Sequence, residues 1–272
     1  MRPCGRDGVL AGVLVIGLAT AGGCGGRRQP LPTLDPRSEL EMGRAEFARR
    51  HWLDAQGHFK KFLDLHPGHA AADSAQLLVA MSIFEQKSYA EAAVEFAVLG
   101  REYPRSGLGA EAALRECLCY FHEMRPPQLD PTFAFRSRDC LNEFMLRYPE
   151  SSWRQEAEKR LADITDALSE KDFRLGVMFA RLKHPRAARV YLEGVLQEYP
   201  TSRWVPQSLL WLGRSYEQQG MDAEAVTHYR RLIATYPDDS ACKEARGRLR
   251  KLSERHPELE GSSAAGPAPA GP

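Results

Sequence analysis

The chain has 272 residues, 43% apolar and 27% charged, which suits one large or two ordinary soluble domains and not a disordered or fibrous chain. Its 37 basic and 36 acidic side chains leave a formal net charge of +1, too little basic excess for a general nucleic-acid binder. The six cysteines (Cys4, Cys24, Cys117, Cys119, Cys140 and Cys242) form no CxxC pair and no zinc-like cluster, and are too sparse for a disulfide scaffold.

Residues 1–23 read as an export signal. Arg2 and Arg6 precede an apolar stretch from Val9 to Ala21, and Ala21-Gly22-Gly23-Cys24 closes it. The stretch falls short of the ~20 apolar residues that cross a bilayer. The segment resembles the lipobox of bacterial lipoproteins, with Ala21 where such boxes most often carry Leu. That resemblance implies cleavage before Cys24 and acylation of its thiol, and Gly25 in place of Asp implies transfer to the outer membrane. Two or more acyl chains, at ~0.8 kcal/mol per CH₂, would hold the chain at a membrane. Residues 24–36, rich in Gly, Pro and Arg, predict a flexible tether.

From 37 to 257 the pattern is helical, with apolar residues recurring at spacings of 3 and 4. Prolines punctuate it at Pro67, Pro104, Pro149, Pro200 and Pro237, four of them after Tyr. Twelve residues before four of these stand Ala55, Ala92, Ala188 and Ala225, and twelve before those stand Gly43, Ala80, Gly176 and Gly213. Small residues let two antiparallel helices approach, and a proline stops the second. The spacing predicts hairpins at about 37–67, 73–104, 107–149, 152–200 and 203–237, then a polar closing helix at 239–256 and a disordered tail at 258–272.

The third unit has Ser137 in the alanine place and an insertion, Arg125 to Pro131, between its helices. Its Cys117, Cys119 and Cys140 could meet across the hairpin. Plain core packing is the expected role for them, with a disulfide the alternative that an oxidising compartment permits. The fourth unit opens with a long helix from Trp153 to Leu182, its stripe running Trp153, Ala157, Leu161, Ile164, Leu168, Leu175, Phe179 and Leu182. The basic run Lys243, Arg246, Arg248, Arg250, Lys251 and Arg255 predicts a solvated face.

These units resemble the tetratricopeptide repeat, most closely in Leu212-Gly213-x2-Tyr216, Ala225-x3-Tyr229 and Pro237. The fold expected is therefore all-α, a solenoid of five helical hairpins with a closing helix. Lipobox, tether, the proline-rich insertion, Arg147-Tyr148-Pro149-x-Ser151, the long helix and Tyr191-Leu192-Glu193-Gly194 together resemble the BamD family of barrel-assembly lipoproteins, over roughly residues 37 to 240.

The resemblance implies a scaffold on the periplasmic face of the outer membrane. It would bind the barrel-inserting protein through its later repeats, sit among other lipoproteins of that machinery, and receive unfolded barrel-protein peptides near its first repeats. Leu40, Phe47, Leu77, Met81 and Phe84 fall on first helices with a spacing that leaves some of them available to line an apolar groove; packing between hairpins is the alternative. A coordinator of envelope constriction of the Tol–Pal type is the second reading, disfavoured because no heptad run precedes Leu40. No GxSxG, HExxH or P-loop occurs, and His66-Pro67-Gly68-His69 lies in a turn without a third ligand. Neither enzymatic activity, metal nor cofactor is expected.

Overall fold

A computed structural model describes residues 35–259. Cys24, the signal segment, all but the last two residues of the tether, and the tail beyond 259 lie outside the described residues.

Among the described residues all regular structure is helical. The first hairpin is α1 (Pro36–Ala48) and α2 (Trp52–Leu65), the second α3 (Ala72–Glu85) and α4 (Tyr89–Glu102), the third α5 (Gly109–His122) and α6 (Thr132–Arg147). The fourth is α7 (Arg154–Arg181) and α8 (Pro185–Glu198), the fifth α9 (Val205–Glu217) and α10 (Asp222–Thr235); α11 (Ala241–Arg255) and a single 3-10 turn at Pro257–Leu259 follow. Each helix packs on the next in the chain, so five hairpins stack in sequence order. None of these helices is long and apolar enough to cross a membrane.

The small residues do what their spacing predicts. A methyl group added at Gly43 would stand 2.6 Å from the Phe59 ring, at Gly176 2.6 Å from Leu192, and at Gly213 2.3 Å from the Tyr229 ring. Only a hydrogen fits there, so one large side chain from each second helix lies directly on the backbone of the first. In the third unit Cys117 and Ser137 take the small-residue places, and Ser137 Oγ donates a hydrogen bond to the Cys117 carbonyl at 3.1 Å.

Two kinds of turn join the helices. Inside four hairpins one residue turns left-handed: Arg50, Lys87, Lys183 and Gly220, at φ of 64°, 63°, 62° and 72°. The amide after each bonds back to the first helix, as His51 N–H does to the Glu46 carbonyl at 2.9 Å. Between hairpins the residue two after the proline closes the turn. Its side chain accepts from the amide two residues on: His69 from Ala71, Ser106 from Leu108, Ser151 from Trp153, Ser202 from Trp204 and Asp239 from Ala241, at 2.7–3.2 Å. Each begins the next helix by satisfying a donor that the helix itself leaves free.

Three expectations need correction. Cys117 and Cys140 are joined by a disulfide that staples α5 to α6, where plain packing was expected. Cys117 holds the crossing position, and Cys140 comes one turn after Ser137 on the facing helix. Cys119, two residues on, points into another core and stays a free thiol; burial pushes its pKa up to about 12.

The stripe of α7 also differs. Ala157, Ile164 and Leu168 are buried as predicted, but the buried line then passes through Gly176, Val177 and Ala180, leaving Leu182 57% exposed. The cause is a change of neighbour. The first half of α7 packs into the core of the third unit with Leu114, Leu141 and Phe144, and the second half packs on Ala188, Leu192 and Leu212.

The closing helix, finally, is amphipathic. Ala241, Cys242, Ala245 and Leu252 are buried against α9 and α10, and Arg248 leaves the solvated face to pair with Glu217 at 3.1 Å and Glu244 at 2.8 Å. Arg250 and Lys251 remain exposed.

Candidate partner-binding surface

Apolar residues on first helices either close the core or face a partner, and burial separates the two roles. Leu40 is 8% exposed and packs with Phe59 and Phe62. It holds the first hairpin together and offers almost no surface. Phe47, Leu77, Met81 and Phe84 are half-buried against the same core. Leu77, Met81 and Phe84 succeed one another by four and three residues along α3, which puts them on one stripe. The Phe47 ring stands edge-on to Trp52 at 4.9 Å. Phe84 is the most confined, with the rings of Tyr89 and His122 each 5.2 Å away. Burial, with the nearby Arg160 charge, holds His122 below the usual imidazole range, so an uncharged ring completes this aromatic cluster.

The polar groups around these residues are paired within the hairpins. Gln76, almost fully buried, donates to the Glu95 carbonyl at 3.0 Å and to its carboxylate at 2.8 Å. Glu39 has no exposed side-chain surface; it accepts from Lys61 and meets His58 Nδ1 at 2.9 Å. Burial by itself would raise the Glu39 pKa, but the hydrogen bonds and charges of Lys61 and His58 outweigh it and hold the carboxyl below its ordinary value. His66 and His69 flank the Phe62 ring and His69 Nδ1 accepts the Ala71 amide, so both have structural work in the turn.

A second region was not singled out from the sequence. An open cleft of about 580 Å³ is lined by Lys183, His184, Pro185 and Arg186 from the α7–α8 turn and by Gln219 and Met221 from the α9–α10 turn. Among the described residues neither Lys183 nor Arg186 pairs with a carboxylate. Arg189 lies over the Tyr216 ring at 4.4 Å, with Nη1 3.7 Å from Met221 Sδ. The same hairpin exposes Met178, Leu182 and Val190. The signal available was the basic run Lys183-His184-Pro185-Arg186 at a predicted turn. The third unit exposes Leu129 and Leu146 as well. Apolar surface next to unpaired positive charge suits docking of another polypeptide.

Five stacked helical hairpins with a small-residue crossing and a proline stop define a tetratricopeptide-type repeat protein. The YfiO family, described as outer membrane lipoprotein, matches residues 35–232, and the chain belongs to that family. It is 25% identical over 231 residues to the outer membrane protein assembly factor BamD of Rickettsia prowazekii (strain Madrid E), covering 85% of this chain and 92% of that one. It is 22% identical over 238 residues to the protein of the same description from Caulobacter vibrioides, covering 86% and 78%. Among solved structures it is similar to the TPR2AB domain of yeast Sti1 in its pHSP90 complex, at 14% identity and a TM-score of 0.44, covering 82% and 84%.

Proposed function

We propose that this protein is a lipid-anchored scaffold of the outer-membrane β-barrel assembly machinery, acting on the periplasmic face without chemistry of its own. The observation that carries the reading is the family match over 35–232, which spans all the hairpins up to α10 and includes both departures from a regular repeat. In this reading Cys24 is acylated and the tether links it to α1. The later repeats bind the barrel-inserting protein, supported by the cationic cleft at Lys183 and Arg186 and the exposed Met178, Leu182 and Val190. The first repeats receive unfolded barrel-protein segments on Phe47, Leu77, Met81 and Phe84, whose half-buried surfaces gain most from apolar contact. Leu40 takes no part beyond supporting the hairpin.

Purification of the acylated protein in a mild detergent tests the scaffold. The barrel-inserting protein accompanies it if the reading is right, and its absence under conditions that preserve membrane complexes overturns it. Cys24→Ala should leave a folded periplasmic protein that no longer fractionates with membranes; continued membrane fractionation would sink the anchor.

A further inference from the structure

The turn of the first hairpin gathers one imidazole and two carboxylates. Glu46 lies in the last turn of α1, His51 precedes α2 and Asp54 lies in the first turn of α2. One ligand atom from each lies within 4.8 Å of the other two, and His51 Nδ1 is 2.6 Å from Glu46 Oε2. From these we infer that Glu46, His51 and Asp54 form a site for a borderline divalent cation of the Zn²⁺ class, clamping α1 to α2 across their turn.

The backbone under the site is already fixed. Arg50 turns left-handed, His51 N–H bonds to the Glu46 carbonyl at 2.9 Å, and the neighbouring Phe47 and Trp52 rings meet edge-on at 4.9 Å. Only side-chain torsions must change, those of exposed His51 and Asp54 and of partly buried Glu46, to bring three ligands to the ~2.0–2.2 Å that nitrogen and oxygen take on zinc. Charge favours it too. Glu46 lies at the C-terminal end of α1, the negative end of a helix dipole, and the Asp54 carboxylate is brought against it from the first turn of α2. Among the described residues Arg49 is the arginine or lysine that answers them, with Nη1 2.8 Å from Glu46 Oε1. Asp54 has no hydrogen-bond or ion-pair partner among the described residues. One imidazole with two carboxylates suits zinc better than calcium or magnesium, which prefer all-oxygen shells. Water would fill the remaining coordination.

This inference does not depend on the assembly role. The test is calorimetric titration of the purified, metal-stripped mature chain with ZnCl₂ in a non-chelating buffer, together with thermal unfolding. We expect one saturable site per chain and a higher midpoint with the metal. His51→Ala and Asp54→Asn should each weaken binding by at least about tenfold, the cost of losing even an outer-shell partner of a ligand. The His51 side chain makes no capping bond to α2, so its loss leaves the hairpin folded; circular dichroism checks this. His69→Ala, which alters a histidine in a different turn, should bind like the parent chain. Absence of a saturable site in the parent chain overturns the inference, as does full binding by both His51→Ala and Asp54→Asn.

Discussion

Ser106 Oγ stands 2.6 Å from the Asp73 carboxylate that begins the same hairpin, and it also accepts the Leu108 amide at 3.1 Å. The hydroxyl proton goes to Asp73, which frees a lone pair for the start of α5. One atom thus ties the end of a repeat to its beginning and closes the turn into the next. Ser202 repeats the device, donating to Asp166 at 2.9 Å and accepting from Trp204 at 3.2 Å. Ser106→Ala should cost about 1–2 kcal/mol, a lost turn bond to the Leu108 amide plus a lost charge-assisted bond to Asp73. The Ser106 hydroxyl, ahead of the Ser74 contacts, holds the Asp73 carboxyl below its ordinary value. That stability is present above the ordinary carboxylate range and is lost as pH falls through the lowered value. Urea unfolding of both proteins at neutral and acidic pH should therefore show their difference narrowing in acid.

Gly213→Ala tests the crossing. The added methyl would meet the Tyr229 ring, which is fully buried and donates to Glu217 at 2.7 Å, so the ring cannot simply swing aside. A loss of about 1–3 kcal/mol is expected, as for overpacked cores. Gly247→Ala is the control: nothing lies within 4 Å of its added methyl on α11, and helix propensity should make it neutral or up to ~1 kcal/mol stabilising.

His228 gives the fifth hairpin a sensitivity to acid. Burial, reinforced by the charges of Arg231 and Arg189 and only slightly opposed by Glu224, lowers its pKa to about 4. Its ring stacks on Tyr216 at 5.1 Å, and its Nδ1 is buried with no hydrogen-bond partner among the described residues. A depressed imidazole pKa means that the unfolded chain takes up the proton first. Stability should thus be undiminished above about pH 6.5 and fall as pH drops toward 4, by roughly 2–3 kcal/mol from this group. His228→Phe should keep the stacking and remove that part of the slope, measured as unfolding free energy against pH.

The Cys117–Cys140 bond encloses a loop with a sequence separation of 23. In the chain-entropy account such a loop contributes roughly 3 kcal/mol. Dithiothreitol should lower the unfolding midpoint of the parent chain and leave the double variant Cys117→Ala, Cys140→Ala unchanged. An equal response of both would show that the bond adds nothing.

The sequence exposed the period because each repeat carries its own punctuation. Gly, Ala and Pro mark where backbones touch and where helices stop, and these demands are local. The turn caps were missed although their residues stand in plain order, Ser106, Ser151 and Ser202 each two after a proline. A hydroxyl in a loop signals a cap only when the following helix start is fixed to the residue. Leu182 was misplaced, and Leu40 left undecided between groove and packing, for a different reason. A periodic stripe tells which residues share a face, whereas burial depends on the neighbouring element, and α7 has two neighbours. The cysteines needed geometry, since spacing cannot tell a thiol facing the next hairpin from one facing its own.

The double allegiance of α7 has a mechanical consequence. At 1.5 Å per residue its 28 residues make a rod of about 42 Å. One end is embedded in the third unit and the other in the fourth and fifth. Ordinary repeat stacks flex at the turns between hairpins; here the middle joint is splinted. Bending the early repeats against the late ones would mean breaking a continuous helix, so surfaces on the two ends would be kept at a set separation, like the fixed arms of a caliper.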